Sequence, residues 1–227
     1  YGTDLYRKAT HGEGYIRRFF NVIKAATTGM GSAVNRLFIT GVSPVTMDDV
    51  TSGFNIGANM TTDYRFNGII GFSEGEVWEM LAYYKSETGF EDSVDDLINL
   101  MKPWYDNYCF SEECMDEPMY NSDMVLYFLS NYLSLHKPPK NMIDNNIRTD
   151  YNKLRHLIRL DKRFGTNASI IQEIVNNGET TAVIKDAFPA EDITKPDNFK
   201  SLLYYFGLLS IKGTKRGDTL LGVPNLT

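Results

Sequence analysis

The chain has 227 residues, 42% of them hydrophobic and 13% aromatic, enough apolar surface for one or two compact units and too much for a disordered chain. Its 29 acidic against 23 basic side chains leave a formal charge of -6, which excludes a chain-wide electrostatic footprint for nucleic acid or an anionic membrane. No apolar run approaches the roughly 20 residues that span a bilayer, and no basic-then-apolar leader opens the chain, so no membrane partner is expected.

In chain order, the first element is an amphipathic helix over Tyr15 to Thr28. Ile16, Phe19, Phe20, Ile23 and Ala26 recur at helical spacing, with Arg17, Arg18 and Lys24 turned elsewhere. Gly29 and Gly31 are expected to end it through positive φ. The apolar burst Leu37-Phe38-Ile39-Thr40-Gly41 reads as a buried strand, and the polar, glycine-rich stretch from Val42 to Asn67 as loop with short helical turns. Ser73 with Glu74 and Glu76 caps a helix carrying Val77, Trp78, Met80 and Leu81.

A helix from Ser93 to Tyr105 uses Val94, Leu97, Ile98 and Met101 as its inner face, with Pro103 near its end. Another runs from Ser122 to about Leu135, and Pro138-Pro139 marks a linker behind it. Beyond the linker, Tyr151 to Leu160, Ala168 to Asn176 and Asp197 to Phe206 read as helices and Thr180 to Ile184 as a strand. A hairpin of Leu208 to Lys212 and Thr219 to Val223 folds around the Lys215-Arg216-Gly217-Asp218 turn. The expected fold class is mostly α with a small β component, the last part arranged like a winged helix.

The residues that carry chemistry in familiar enzymes are missing. There is no G-x-x-x-x-G-K-[ST] loop to cradle phosphates; Gly29-Met30-Gly31 has no lysine at the needed spacing and sits where a helix ends. No apolar strand finishes in paired acids for magnesium, and Asp95 and Asp96 suit a helix N-terminus instead. Neither a nucleophile elbow nor an activating histidine is present. Cys109 and Cys114, with His11, His136 and His156 far off, do not assemble a zinc site, and the low cysteine content suits a reducing cytoplasm. One basic stretch stands out: Arg148, Lys153, Arg155, His156, Arg159, Lys162 and Arg163. On a helix Arg155, Arg159 and Lys162 could contact nucleic-acid phosphates, or form a solvated face paired to the acidic remainder.

The segment Arg36 to Val45, followed by Thr51-Ser52-Gly53-Phe54-Asn55, resembles a bacterial AAA-ATPase-like family common in anaerobic gut bacteria. Gly71-Phe72-Ser73, Lys102 to Tyr108 with Phe110-Ser111, and Met119-Tyr120-Asn121-Ser122 are similar to that family's successive landmarks, so the likeness spans roughly residues 10 to 135. The resemblance implies the end of a P-loop ATPase α/β core over 1–65, a helical lid over 66–140 and a winged-helix-like domain over 141–227. It places the nucleotide-binding half, which would hold ATP and Mg, upstream of the first helix here, and in many members a restriction-endonuclease-like domain downstream. A start at Tyr1 rather than methionine suggests an excised piece.

By the same resemblance, Phe38-Ile39-Thr40-Gly41 matches the strand whose polar end senses the γ-phosphate, which makes Thr40 the best candidate site residue and Arg36 a weaker one. A strand-end hydroxyl bonded to nearby backbone is the structural alternative for Thr40. Two functions follow: a cytoplasmic ATP-dependent switch that acts only with the upstream half, or a non-enzymatic winged-helix module that binds nucleic acid or a protein partner.

Overall fold

The computed structural model describes residues 8, 14–29, 31–41, 57–144, 166–189 and 192–226. Among these the chain is mostly helical, with six α-helices and a small sheet: α1 (Tyr15–Thr27), α2 (Glu74–Thr88), α3 (Val94–Tyr105), α4 (Ser122–Leu135), α5 (Thr166–Asn177), β1 (Glu179–Ala182), α6 (Pro196–Tyr205), β2 (Ser210–Lys215) and β3 (Asp218–Gly222). No described helix is long and apolar enough to cross a membrane. The helix expected over Tyr151 to Leu160 lies outside the described residues.

Two compact units share the chain, Tyr1–Met60 with Ala182–Phe206, and Thr61–Thr181 with Gly207–Thr227. This grouping does not follow divisions at 65 and 140. The terminal hairpin belongs with the residues of the expected lid because its backbone is hydrogen-bonded to them: Ile211 N donates to Cys109 O at 3.2 Å and Leu226 N to Pro103 O at 3.0 Å.

In the first unit, α1 forms where the periodicity places it, and Gly29 (φ 101°) and Gly31 (φ 84°) lie just beyond its end. Thr27 and Thr28 hydroxyls donate back to the carbonyls of Ile23, at 3.2 Å, and Lys24, at 2.9 Å, satisfying acceptors that the last turn leaves open. The helix nevertheless buries none of its residues. The expected strand at Leu37 to Gly41 is not formed: these residues are irregular, and Leu37, Phe38 and Ile39 are 42%, 73% and 40% exposed. An apolar run states a need for cover, whereas a strand also needs a neighbouring backbone to bond with, and no described strand supplies one to 37–41. In contrast, α6 buries Asn198, Phe199, Ser201, Leu202, Leu203 and Tyr204.

The second unit has an apolar helical core. On α2, Ser73 and Glu76 form a reciprocal capping box, Glu76 N donating to Ser73 Oγ at 3.2 Å and Ser73 N to Glu76 Oε2 at 2.8 Å. Gly89, at φ 68°, closes the other end. Val77 and Leu81 from α2, Leu97, Ile98, Met101 and Tyr105 from α3, and Met124, Val125, Phe128, Leu129 and Tyr132 from α4 pack into one cluster. Aromatic rings fill its centre: Phe128 stacks on Tyr132 at 5.7 Å, and Phe90 meets the Tyr132 ring edge-on at 5.0 Å. The buried phenols keep partners, Tyr105 OH donating to Met142 O at 2.7 Å and Tyr132 OH to Asp92.

The sheet has the order β1-β3-β2, with β2 and β3 antiparallel from Ser210↔Gly222 to Lys215↔Asp218. Arg216 (φ 58°) and Gly217 (φ 92°) make the tight turn at the expected place, because a two-residue hairpin turn of this hand needs positive φ twice. The strands extend further toward the turn than the alternation implied, and a register shift between Ile211 and Gly213 absorbs an extra residue on β2.

Candidate functional site

Thr40 and Arg36 lie in the irregular segment after α1 and are exposed. Neither is brought to the end of a strand among the described residues. Arg155, Arg159 and Lys162 lie outside the described residues.

What the structure does bring together are the three later segments that the sequence marks. Phe72 and Tyr120 pair through two backbone bonds, Phe72 N to Tyr120 O at 3.1 Å and Tyr120 N to Phe72 O at 2.7 Å. Tyr108 and Met119 do the same at 3.1 and 2.7 Å, and Asn121 N donates to Tyr105 O at 2.7 Å. Asn67 stitches the same layer with its buried amide, Nδ2 donating to Glu117 O at 3.0 Å and Oδ1 accepting Phe110 N at 2.9 Å. Gly71 is required by this weave, since a Cβ there would stand 2.5 Å from Met119 Cβ.

Beside the weave lies an open cleft of about 410 Å³ lined by Ser73, Glu74, Lys102, Asp106 and the run Asp116 to Met119. Lys102 projects from the last turn of α3, where its charge suits the helix C-terminus. Its Nζ lies 2.5 Å from Glu74 Oε2 and 3.9 Å from Asp106 Oδ2. Glu74, in the first turn of α2, also accepts the Tyr120 hydroxyl at 3.2 Å. Asp106 is the C-cap of α3 and its side chain is only 2% exposed; Oδ1 accepts Asn107 N at 2.6 Å, and its backbone carbonyl accepts Asn225 Nδ2 at 2.7 Å.

These environments push the titrations apart. The hydrogen bond from Lys102 holds Glu74 below the usual carboxylate range, and the same contact holds Lys102 up. Burial raises Asp106 despite the Asn107 amide and the nearby ammonium, and burial likewise raises the Tyr120 phenol. On β2, burial lowers Lys212, whose Nζ reaches Asn107 O at 3.5 Å.

The cleft therefore combines a buried carboxyl whose pKa burial raises, a lysine held by Glu74, and exposed acids at Asp116 and Glu117. Among the described residues no group of three or more His, Cys, Asp or Glu is placed to hold a metal ion. The cysteines are separate, Cys109 buried with Sγ donating to Ser111 O at 3.0 Å and Cys114 directed at Tyr64 O at 3.6 Å. Reasoning from the sequence named the segments of this cleft and missed their charged residues. The i,i+4 spacing of Lys102 and Asp106 was a usable signal, whereas Glu74, 28 residues before Lys102, gave none.

Comparison of the chain with protein-family models, with curated proteins and with solved structures found no match in any of the three. The class the fold defines is a mostly helical protein with a small three-stranded sheet.

Proposed function

We propose that this chain is the responding part of an AAA-ATPase-like nucleotide switch, comprising a sensing segment at Thr40, a helical lid and a winged-helix-like end. ATP and Mg would be held by a nucleotide-binding half upstream, since the residues here fit neither: no phosphate loop and no paired acids at a strand end are present. The observation that carries this reading is a contrast in cover. The part resembling the end of an ATPase core leaves Tyr15, Phe19 and Val22 of α1 and Leu37, Phe38 and Ile39 exposed, which is what a core fragment would do without the rest of its core. Two further features support it. The landmark segments assigned to the proposed lid meet in one layer, and the element order α5-β1-α6-β2-β3 with sheet order β1-β3-β2 is compatible with a winged-helix-like end.

The binding-module reading is favoured less for nucleic acid than for protein. In helix-turn-helix readers the helix that enters the groove presents side chains to the bases, and α6, the helix before the hairpin, exposes only Pro196. Its contact residues would have to come from elsewhere in the chain, such as Arg155, Arg159 and Lys162.

The test is ATP hydrolysis by a polypeptide that carries the upstream coding region together with these 227 residues. Thr40→Ala should slow turnover by about tenfold or more if its hydroxyl acts on the γ-phosphate or the attacking water. An unaltered rate overturns the sensor assignment, and an upstream region without a phosphate-binding loop overturns the switch.

A further inference from the structure

We propose that residues 106–111, the run that leaves α3, are a strap coupling the helical core of the second unit to the β2–β3 hairpin, so that core and hairpin open and move as one body. The coupling stands apart from the nucleotide-switch reading; joined to that reading, it means that any movement of the lid carries the hairpin with it.

The first observation is how the backbone of the run is divided between two neighbours. The run belongs to no helix or strand, yet it is bonded on both edges, as an inner strand would be. Tyr108 N donates to Met119 O at 3.1 Å and Met119 N to Tyr108 O at 2.7 Å, which ties one edge to the segment that leads into α4. The next residue turns the other way: Cys109 N donates to Ser210 Oγ at 2.7 Å, and Cys109 O accepts Ile211 N at 3.2 Å and the Ser210 hydroxyl at 3.3 Å. Successive residues of an extended chain aim their polar groups at opposite edges, so two adjacent residues suffice to bridge partners that lie 101 residues apart in the chain.

The second observation is where these bonds lie. Cys109 and Ser210 are 3% and 1% exposed. A small slide of the hairpin against the run would leave a buried N–H, carbonyl and hydroxyl unbonded, and each such loss is costly. The joint is therefore either closed or fully open, with no gradual give between.

The third observation is that the hairpin is tied at several separated points. On β3, Thr219 donates its hydroxyl to Glu112 Oε1 at 2.7 Å, just past the run. Behind β3, Asn225 Nδ2 donates to Asp106 O at 2.7 Å and Leu226 N to Pro103 O at 3.0 Å, which fastens the tail to the last turn of α3 and to its C-cap. A body held through β2, β3 and the tail cannot pivot about any one of them. At its other end the run begins directly after Tyr105, which is fully buried in the helical core and whose carbonyl accepts Asn121 N at 2.7 Å.

The experiment is native-state amide hydrogen exchange of the full chain at increasing urea, read residue by residue by NMR. The amides of Ile211 and Leu226 report on the hairpin, and those of Met101 and Leu129, within α3 and α4, on the helical core. The four should converge on one opening reaction as urea rises. Phe128→Ala, a change in the core alone, should speed exchange at Ile211 by the same factor as at Met101, about a hundredfold or more. Ser210→Ala, a change at the joint, should speed exchange at Met101 and Leu129 by about tenfold, as it does at Ile211. Hairpin amides that exchange through an opening of their own, indifferent to Phe128→Ala, would overturn the coupling. So would an effect of Ser210→Ala confined to Ile211 and Leu226, and this second variant decides the matter even where Phe128→Ala does not fold.

Discussion

Helices α1 and α4 are both legible as helices with apolar positions and meet opposite fates. Over its 14 residues α4 buries Met124, Val125, Phe128, Leu129 and Tyr132, whereas the 13 residues of α1 bury nothing and leave Phe19 60% and Val22 67% exposed. The difference lies in the company each keeps. Around α4 stand α2, α3, Phe90 and Met142, which pack with it into one core. Amphipathicity thus records that a helix was selected to be covered, and the structure tells whether the cover is present.

The largest expected effect falls on the covered region. Phe128→Ala removes a ring that is fully buried and stacked against Tyr132, and should destabilise the second unit by about 3–5 kcal/mol in urea unfolding. A loss below about 1 kcal/mol would mean that this core is not the rigid partner in the comparison.

Asp106→Asn should shift stability in the opposite direction at neutral pH. Burial holds the folded-state carboxyl above its ordinary value of 3.8, so the native chain binds that proton more readily than the unfolded chain. Stability from this group is therefore present below pH 3.8 and declines as pH climbs through the folded-state value. Asparagine removes the decline, and the variant should match the parent in acid and exceed it at neutral pH. Denaturation midpoints across the acidic range that run parallel for the two proteins would contradict it.

The smallest effect is expected in the exposed region. Phe19→Ser on α1 should change stability by no more than about 0.5 kcal/mol, because its ring is 60% exposed and its ring contact is the neighbouring Phe20. A loss as large as that of Phe128→Ala would erase the contrast between the regions.

Much of the second unit was legible from local chemistry. Ser73, Glu74 and Glu76 announced the start of α2, the inner face of α3 is the one its spacing named, and Arg216-Gly217 turns the hairpin where expected. What failed was non-local. Leu37 to Gly41 has the composition of a buried strand, but composition does not provide a neighbour with which to pair. The cleft was half legible for the same reason: each segment stood out alone, and only the backbone pairing of Phe72 with Tyr120 and Tyr108 with Met119 sets Glu74, Lys102 and Asp106 side by side.

The central claim is that the apolar face of α1 and the segment 37–41 belong against a nucleotide-binding half. Amide hydrogen exchange over residues 15–27 and 37–41 tests it most directly, comparing this chain alone with the polypeptide extended through the upstream coding region. The account predicts fast exchange in the isolated chain and slowing by about two orders of magnitude or more in the extended one, as a frayed element gains the protection of a core. Equal exchange in both would contradict it.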